Sequence, residues 1–211
     1  MPMKAITLGQ YDKLPVDFYR QKNVCTVAKA LLGKLLVTSQ GNGLTIGRIV
    51  ETEAYNGITD KASHAWGNRR TQRTEVMYAA GGVSYVYLCY GIHHLFNVVT
   101  NEVDVPHAVL VRALEPVSGL EHMLARTKMR RPDVSLTRGP GKLSKAMGIT
   151  TADTGVSLLG DRLFIADDGF PVRTSQILAT PRIGVDYAGE DARLPYRFLL
   201  KNNLYVSGPR S

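Results

Sequence analysis

The stretch KLLVTSQGNGLTIGRIVETEAY, residues 34–55, contains two runs of strand-forming residues separated by the turn sequence GNG. Two such runs joined by a short glycine-containing turn are typical of a β-hairpin. The second run ends in VETEAY, which places Glu51 and Glu53 two residues apart. The hairpin decides the fold class, and its two glutamates raise the functional question, because apolar residues are expected in the middle of a sheet.

Further hairpins and short helices follow the same plan. YVYLCY and LFNVVT flank the tip GIHH and predict a second hairpin, and AVLVRAL predicts another strand. Helical spacing over residues 24–32 predicts a helix capped by Asn23 and ended by Gly33, while residues 118–121 have the spacing of a capping box. GPGKLSKAMG predicts one more helix. Because strands outnumber helices and are joined by hairpins, we predict an α+β fold with a curved, mostly antiparallel β-sheet flanked by helices.

The composition is that of an ordinary globular chain. Of 211 residues, 44% are apolar and 21% are charged, and no apolar run is long enough to cross a membrane. The two cysteines, Cys25 and Cys89, are too few for a disulfide framework or a cysteine-based zinc site. We predict a single domain over 1–211, loosely ordered over about residues 1–15, that is monomeric and intracellular. The compartment would be the cytoplasm or nucleoid in a prokaryote and the nucleus in a eukaryote.

The net charge of +8 favours an anionic partner. Three clusters carry much of it: Arg69, Arg70 and Arg73; Arg126, Lys128, Arg130 and Arg131; Arg138, Lys142 and Lys145. Any one cluster is explained equally well as solvated surface charge, but three together make nucleic acid the leading partner. GPGKLSK lacks the glycine spacing of a nucleotide-binding loop, although the start of a helix beside Lys142 would suit a phosphate.

Strand geometry places Glu51, Glu53 and Tyr55 on one face of the sheet. The two glutamates would lie roughly 6.6 Å apart along the strand. One alternative is a solvent-exposed polar face, and the other is a carboxylate that activates water. The separation also resembles that of the acid pair in an inverting glycosidase, but any two acidic residues so spaced on a strand produce it.

The second hairpin carries an unusual set of aromatic side chains. Tyr85 and Tyr87 point to the same side of their strand, as is common in sheet cores. Tyr90 falls at the tip, where side chains are exposed, so it is expected to contact a partner. His93 and His94 follow directly, but no matched third ligand accompanies them, and we predict no metal site.

The stretches VETEAYNGITDKASHAWG, RRTQRTEVMY, SYVYLCYGIHHLFNVVT, HAVLVRALEP, RGPGKLSKAMGI and IGVDYAGEDARLPYRF occur in this order. Together they resemble the alkyladenine (3-methyladenine) DNA glycosylase family from about residue 18 to 206. The resemblance implies an enzyme without cofactor that flips damaged purines out of double-stranded DNA and hydrolyses the N-glycosidic bond in base excision repair. It also implies a protruding β-hairpin that enters the DNA. Expected lesions are 3-methyladenine and 7-methylguanine, with hypoxanthine and ethenoadenine as further candidates.

Carried over position by position, the resemblance makes Glu53 the general base that activates water. Arg112 matches a residue near Glu53 and the phosphate of the flipped nucleotide. Tyr55 and Tyr87 match the aromatic rings that sandwich the flipped base, and His64 forms part of the same pocket.

The resemblance also assigns the surface that meets DNA. Tyr90 matches the wedge that fills the space left by the flipped nucleotide, and Asn97 matches the gate that crowds the amino group of normal guanine. Glu51 matches no catalytic position. The remaining expected DNA-binding residues are Ile92, His93, Arg69 and Lys142. Ile92 and His93 differ from the bulkier aromatic that some relatives have after the wedge.

Three other functions remain open on the residues alone. A non-enzymatic nucleic-acid-binding domain would bind DNA without releasing a base. A carbohydrate O-glycosidase would use Glu51 and Glu53 but would leave the arginine clusters unexplained. A basic structural or ribosome-associated protein would give no reason for the combination of VETEAY with YVYLCYG.

Overall fold

Nine strands form one sheet in the computed structural model, which describes residues 11–41 and 43–208. The strands of this described part are β1 (Asp12–Lys13), β2 (Leu35–Gln40), β3 (Gly43–Tyr55), β4 (Ser84–Cys89), β5 (His93–Thr100), β6 (His107–Ser118), β7 (Leu163–Asp167), β8 (Ile177–Thr180) and β9 (Arg197–Leu200). The helices are α1 (Val16–Tyr19), α2 (Val24–Ala30), α3 (Leu120–Thr127) and α4 (Pro140–Met147). Short 3₁₀ segments cover Gly57–Thr59, Trp66–Asn68, Glu75–Tyr78, Val134–Leu136, Thr151–Asp153, Thr174–Gln176 and Asp186–Arg193.

The sheet has the order β1-β7-β2-β3-β6-β5-β4, and β9 pairs with both β3 and β8. Every one of these strand pairs is antiparallel. The prediction of a single α+β domain with a mostly antiparallel sheet flanked by helices is confirmed.

Strand β3 is the centre of the sheet, and its neighbour changes along its length. Its first half pairs with β2, whereas Glu51–Glu53 pair with β9. Along its other edge, residues 46–55 pair with β6. The β3–β6 register shifts on both sides of Glu51. Such irregularities re-aim side chains. These register shifts occur at Glu51, in the part of the strand where Glu51 and Glu53 are both buried.

Helix α2 begins where the sequence predicts, but it ends at Ala30 with Leu31 as its C-cap, before Gly33. The side chain of Asn23 accepts a hydrogen bond from the backbone N–H of Thr26 at 3.1 Å, as an N-cap does. Gly33 then turns the chain with a φ of +86°, a conformation that glycine adopts without strain. The face of α2 formed by Val24, Val27 and Ala28 is buried in the main core, which the sheet shares with α3 and α4.

The predicted capping box at residues 118–121 is wrong. Ser118 is the last residue of β6, and Gly119 is the N-cap of α3, where no side chain makes a capping bond. Gly119 has a φ of +73°, and a Cβ there would lie 2.2 Å from the carbonyl oxygen of Leu44. The tight turn from β6 into α3 packs against β3 and therefore requires glycine at position 119. Helix α3 starts directly from this turn without a side-chain cap.

The predicted loosely ordered segment of about residues 1–15 is only partly described. Residues 12 and 13 pair with β7, and Leu14 is buried. Residues 1–10 lie outside the described residues. In the described part, no helix is both long enough and apolar enough to cross a membrane.

Candidate active site

Glu53 lies in the interior beside β9 with none of its surface exposed. Tyr55 donates a hydrogen bond of 2.8 Å to its Oε2, and the backbone N–H of Ile183 donates one of 2.8 Å to its Oε1. Nη1 of Arg112 lies 3.2 Å from Oε1. Since each carboxylate oxygen can accept about two hydrogen bonds, Oε2 retains capacity for one more donor. The carboxylate is thus held in one orientation and can still accept a water proton.

Glu51 is equally buried, and neighbouring side chains and one backbone N–H donate four hydrogen bonds to its carboxylate. Its Oε1 lies 2.9 Å from Nε of Arg112 and 2.7 Å from Nε of Arg197. Ser207 donates to both oxygens, through its backbone N–H at 2.6 Å and its hydroxyl at 3.0 Å. The solvent-exposed polar face is therefore wrong for both glutamates. Glu51 is the counter-charge of two buried arginines, and its Oε1 accepts hydrogen bonds from both of them and from the Ser207 hydroxyl.

A cavity of about 460 Å³ opens next to Glu53. Its volume lies within the usual range of small-molecule sites, roughly 300–1,000 Å³. Tyr55 and Arg112, which both touch Glu53, form part of its wall. The other sequence-predicted residues that line it are His64, Tyr87, Tyr90 and Asn97. Strands β3, β4, β5 and β6 each contribute at least one of these side chains, so the centre of the sheet fixes the shape of the cavity.

Aromatic rings line this cavity, and an arginine contacts each of two of them. The rings of His64 and Tyr87 meet edge to face with centroids 4.6 Å apart. Cζ of Arg73 lies 5.1 Å from the centroid of Tyr87, and Cζ of Arg182 lies 4.9 Å from that of Tyr55. Both distances are within the range of cation–π attraction. Each tyrosine ring expected to sandwich a base is therefore held by a guanidinium group.

Asn97 presents a defined hydrogen-bonding group to the cavity. It is almost completely buried, and its Nδ2 donates to the backbone oxygens of Tyr85 at 3.1 Å and Leu95 at 3.2 Å. Because both amide hydrogens are committed to backbone carbonyls, the side-chain oxygen is the polar atom that Asn97 can offer to a ligand.

Tyr90 projects from the tip of the β4–β5 hairpin with 90% of its surface exposed. It has a φ of +51°, followed by Gly91 at +72°, so the turn is tighter than the predicted GIHH tip. His93 and His94 already belong to β5. Ile92 is 70% exposed, and the tip is thus an apolar projection at the mouth of the cavity.

The start of α4 lies beside this tip. A Cβ added to Gly141 would lie 2.9 Å from the ring of His93, which shows how closely the first turn of α4 approaches β5. Lys142 is exposed in that same turn. Ile92, His93 and Lys142 therefore lie outside the cavity on the surface next to Tyr90.

Arg69 lines a second cavity of about 490 Å³. This space shares His64, Arg73 and Tyr187 with the first cavity and also contains the exposed Trp66. The predicted residues therefore fall into three adjoining places: the first cavity with Glu53 beside it, the second cavity, and the hairpin tip with α4. No group of three or more possible metal ligands occurs among residues 11–41 and 43–208.

Several residues of the site have no role in the sequence predictions. Arg182 forms a buried ion pair with Asp60, donates to the backbone oxygen of Ala54 at 2.9 Å, and contacts the Tyr55 ring. Arg197 holds Glu51, as described above. The last stretch of the resemblance, IGVDYAGEDARLPYRF, contains Ile183, Tyr187 and Arg197 and directly follows Arg182. The sequence therefore indicated that this segment belongs to the site but not which of its residues contact the glutamates.

Comparison with known proteins identifies the class. A family model described as methylpurine-DNA glycosylase (MPG) matches residues 17–204. A protein of Bacillus licheniformis is 47% identical over 197 residues, covering 93% of this chain and 97% of its own. Relatives from Chlamydia pneumoniae (46% identical; 89% and 94% covered) and Bdellovibrio bacteriovorus (45%; 92% and 98%) match similarly. All three carry the name "Putative 3-methyladenine DNA glycosylase".

The protein is a DNA glycosylase, an enzyme that acts on DNA and hydrolyses N-glycosidic bonds. The chain belongs to the methylpurine-DNA glycosylase family.

Proposed function

We propose that this chain is a monofunctional glycosylase that flips alkylated and deaminated purines out of duplex DNA and releases them by water attack directed by Glu53. Its substrates are 3-methyladenine, 7-methylguanine, hypoxanthine and ethenoadenine. The observation that carries the proposal is a buried, oriented carboxylate next to an aromatic cavity whose mouth bears an exposed tyrosine.

In the proposed reaction, Glu53 accepts a proton from a water molecule whose oxygen bonds to the anomeric carbon of the sugar. The N-glycosidic bond breaks, and its electron pair leaves with the base. The sugar passes through an oxocarbenium-like state, whose positive charge the carboxylate opposes. Nη1 of Arg112 lies 3.2 Å from Oε1 of Glu53, and Arg112 lines the cavity, where it would meet the phosphate of the flipped nucleotide.

The cavity would bind the purine between Tyr55 and Tyr87, with His64 and Asn97 at its edges. Stacking on an aromatic ring contributes roughly 1–3 kcal/mol per base. A positively charged alkylated purine gains about 0.5–2 kcal/mol more through cation–π attraction. Asn97, fixed by two backbone oxygens, would crowd the amino group of an undamaged guanine.

Extrusion of a nucleotide costs a few kcal/mol of pairing and stacking, and least for a damaged or mismatched base. Tyr90 and Ile92 would fill the space that the flipped nucleotide leaves in the duplex. The DNA phosphate backbone would be contacted by Arg69, His93 and Lys142. These contacts would give sequence-independent affinity that falls steeply as salt increases.

Single-turnover release of each purine from a duplex carrying one lesion tests the proposal. We expect release of all four purines by the native chain and no strand cleavage unless base or heat is added afterwards, because no lysine is assigned as a nucleophile. Binding of lesion duplex with no release of any purine would contradict the proposal and favour a non-enzymatic DNA-binding role for the site. Strand cleavage by the enzyme itself would contradict the monofunctional mechanism.

A further inference from the structure

Tyr85 is an aromatic residue on β4 to which the proposed chemistry gives no role. Only 2% of its surface is exposed, and its hydroxyl lies 2.8 Å from Nδ1 of His64. Its ring centroid is 5.5 Å from that of Tyr87. Tyr85 therefore lies beside the proposed stacking ring of Tyr87, and its hydroxyl contacts the imidazole of His64, which lines the cavity.

The direction of this hydrogen bond follows from the donors and acceptors around it. A tyrosine hydroxyl carries one hydrogen, and a buried donor left unused keeps the full penalty of its desolvation. Among the described residues, Nδ1 of His64 is the acceptor within reach of this hydrogen. The neighbouring Arg73 can only donate. Tyr85 therefore donates to Nδ1, which must be unprotonated.

His64 is neutral in this environment. Burial lowers its pKa to about 4, and the positive charges of Arg73 and Arg69 act in the same direction. A neutral imidazole carries one proton, and with Nδ1 accepting from Tyr85 that proton resides on Nε2. Nε2 has no hydrogen-bond partner within the described part of the chain, and His64 lines both cavities.

We propose that Tyr85 is a positioning residue that fixes His64 as its Nε2–H tautomer, so that His64 offers a hydrogen-bond donor to an oxygen of the flipped nucleotide. This inference rests on the proposed function for its ligand. The accepting oxygen is either the 6-oxo group of a purine such as hypoxanthine or a phosphate oxygen of the flipped nucleotide. A 6-amino purine such as 3-methyladenine has no oxygen on its base.

Long-range ¹H–¹⁵N NMR of histidine-labelled protein at pH 7.5 reads the tautomer directly in the free chain. Subtraction of the His64→Gln spectrum assigns the signal among the five histidines. We expect an unprotonated Nδ1 and a protonated Nε2 in the native chain. We expect a tautomer mixture in Tyr85→Phe and an unchanged pattern in the control Tyr205→Phe, whose hydroxyl lies away from both cavities. A proton on Nδ1 in the native chain overturns the proposal.

Single-turnover release then identifies the oxygen. If it is the 6-oxo group, Tyr85→Phe slows hypoxanthine release roughly threefold to tenfold, as loss of one hydrogen bond predicts, and leaves 3-methyladenine within about twofold. If it is a phosphate, both lesions slow equally. Rates within about twofold for both lesions overturn the donor role. Because the NMR result needs no turnover, a chain that releases no base would refute the proposed function without obscuring the tautomer.

Discussion

The phenol of Tyr55 donates a hydrogen bond of 2.8 Å to the carboxylate of Glu53. Burial raises the pKa of Tyr55 well above its usual value, and the negative charge of Glu53 raises it further, so the phenol keeps its proton at neutral pH. The same ring lines the cavity and contacts the Arg182 guanidinium on its π-system. The proposed stacking residue is therefore also the residue that orients the proposed general base.

Replacing Tyr55 separates these two roles. Tyr55→Phe keeps the ring and removes one hydrogen bond to the charged carboxylate of Glu53, so single-turnover base release should slow by roughly 10-fold to 150-fold. Tyr55→Ala also removes stacking worth roughly 1–3 kcal/mol and should slow release by a further factor of about 5 to 150. Parallel kinetics on one lesion duplex check this order. Equal rates for the two variants would show that the ring does not stack on the base.

The two glutamates should differ in what they contribute to stability. Glu51→Gln removes the counter-charge shared by Arg112 and Arg197, and breaking such a buried pair costs about 3–5 kcal/mol. Glu53→Gln is the matched control, because Arg112 keeps Glu51; it should cost less than about 2 kcal/mol. Urea unfolding at pH 7 measures both. A Glu51→Gln chain no less stable than Glu53→Gln would refute the structural role of Glu51.

His64 should make the folded state sensitive to acid. Its pKa falls from 6.5 to about 4 on folding, so the unfolded chain binds the proton more readily between these values. Its contribution to the free energy of unfolding is therefore fully present above pH 6.5 and is lost as the pH falls toward 4. Allowing for partial solvent exposure, the loss is on the order of 2 kcal/mol.

Urea unfolding at pH 4.5 and pH 7 tests this pH dependence. His64→Gln should lose less stability over this interval than the native chain. His107, whose pKa is also lowered by burial, is present in both chains and cancels in the comparison. An identical pH dependence in the two chains would show that His64 does not titrate as described.

Tyr90 should matter for duplex substrates through its ring. Tyr90→Ala removes the wedge and should slow release from duplex DNA by roughly 10-fold to 100-fold, since unstacking and unpairing cost a few kcal/mol. Tyr90→Phe keeps the ring and should remain close to the native rate. Both substitutes keep a Cβ at the positive φ, so backbone strain is matched. The control is the rate of base release from single-stranded DNA that carries the same lesion. If Tyr90→Ala slows release from single-stranded DNA as much as from duplex DNA, Tyr90 does not act as a wedge.

Hairpins and helix ends could be predicted from the sequence because they depend on residues that are close together in the chain. The β2–β3 and β4–β5 hairpins, the Asn23 cap and the α4 entrance all follow from alternation, glycine turns and capping chemistry. The burial of Glu51 could not be predicted this way. Its partners Arg197 and Ser207 are 146 and 156 residues away in the chain, and only the pairing of β9 with β3 brings them together.

In the candidate site too, some residues could be predicted from the sequence, whereas contacts between distant segments could not. The resemblance supplied Glu53, Tyr55, Tyr87 and Asn97. The structure brings the last three around one cavity, and Glu53 lies beside it in contact with Tyr55. The Asp60–Arg182 pair behind Tyr55 joins segments 122 residues apart, and no short-range pattern signals it. The capping box failed for a different reason, because backbone contact with Leu44 rather than side-chain chemistry decides the turn at Gly119.

In the proposed reaction, Glu53 directs the water that releases the base. The most direct test is single-turnover release of hypoxanthine by the native chain and by Glu53→Gln, with duplex affinity measured for both. We expect Glu53→Gln to bind the lesion duplex about as tightly as the native chain and to release the base at least roughly 100-fold more slowly, the lower range of general-base catalysis. Release by Glu53→Gln at close to the native rate would contradict it.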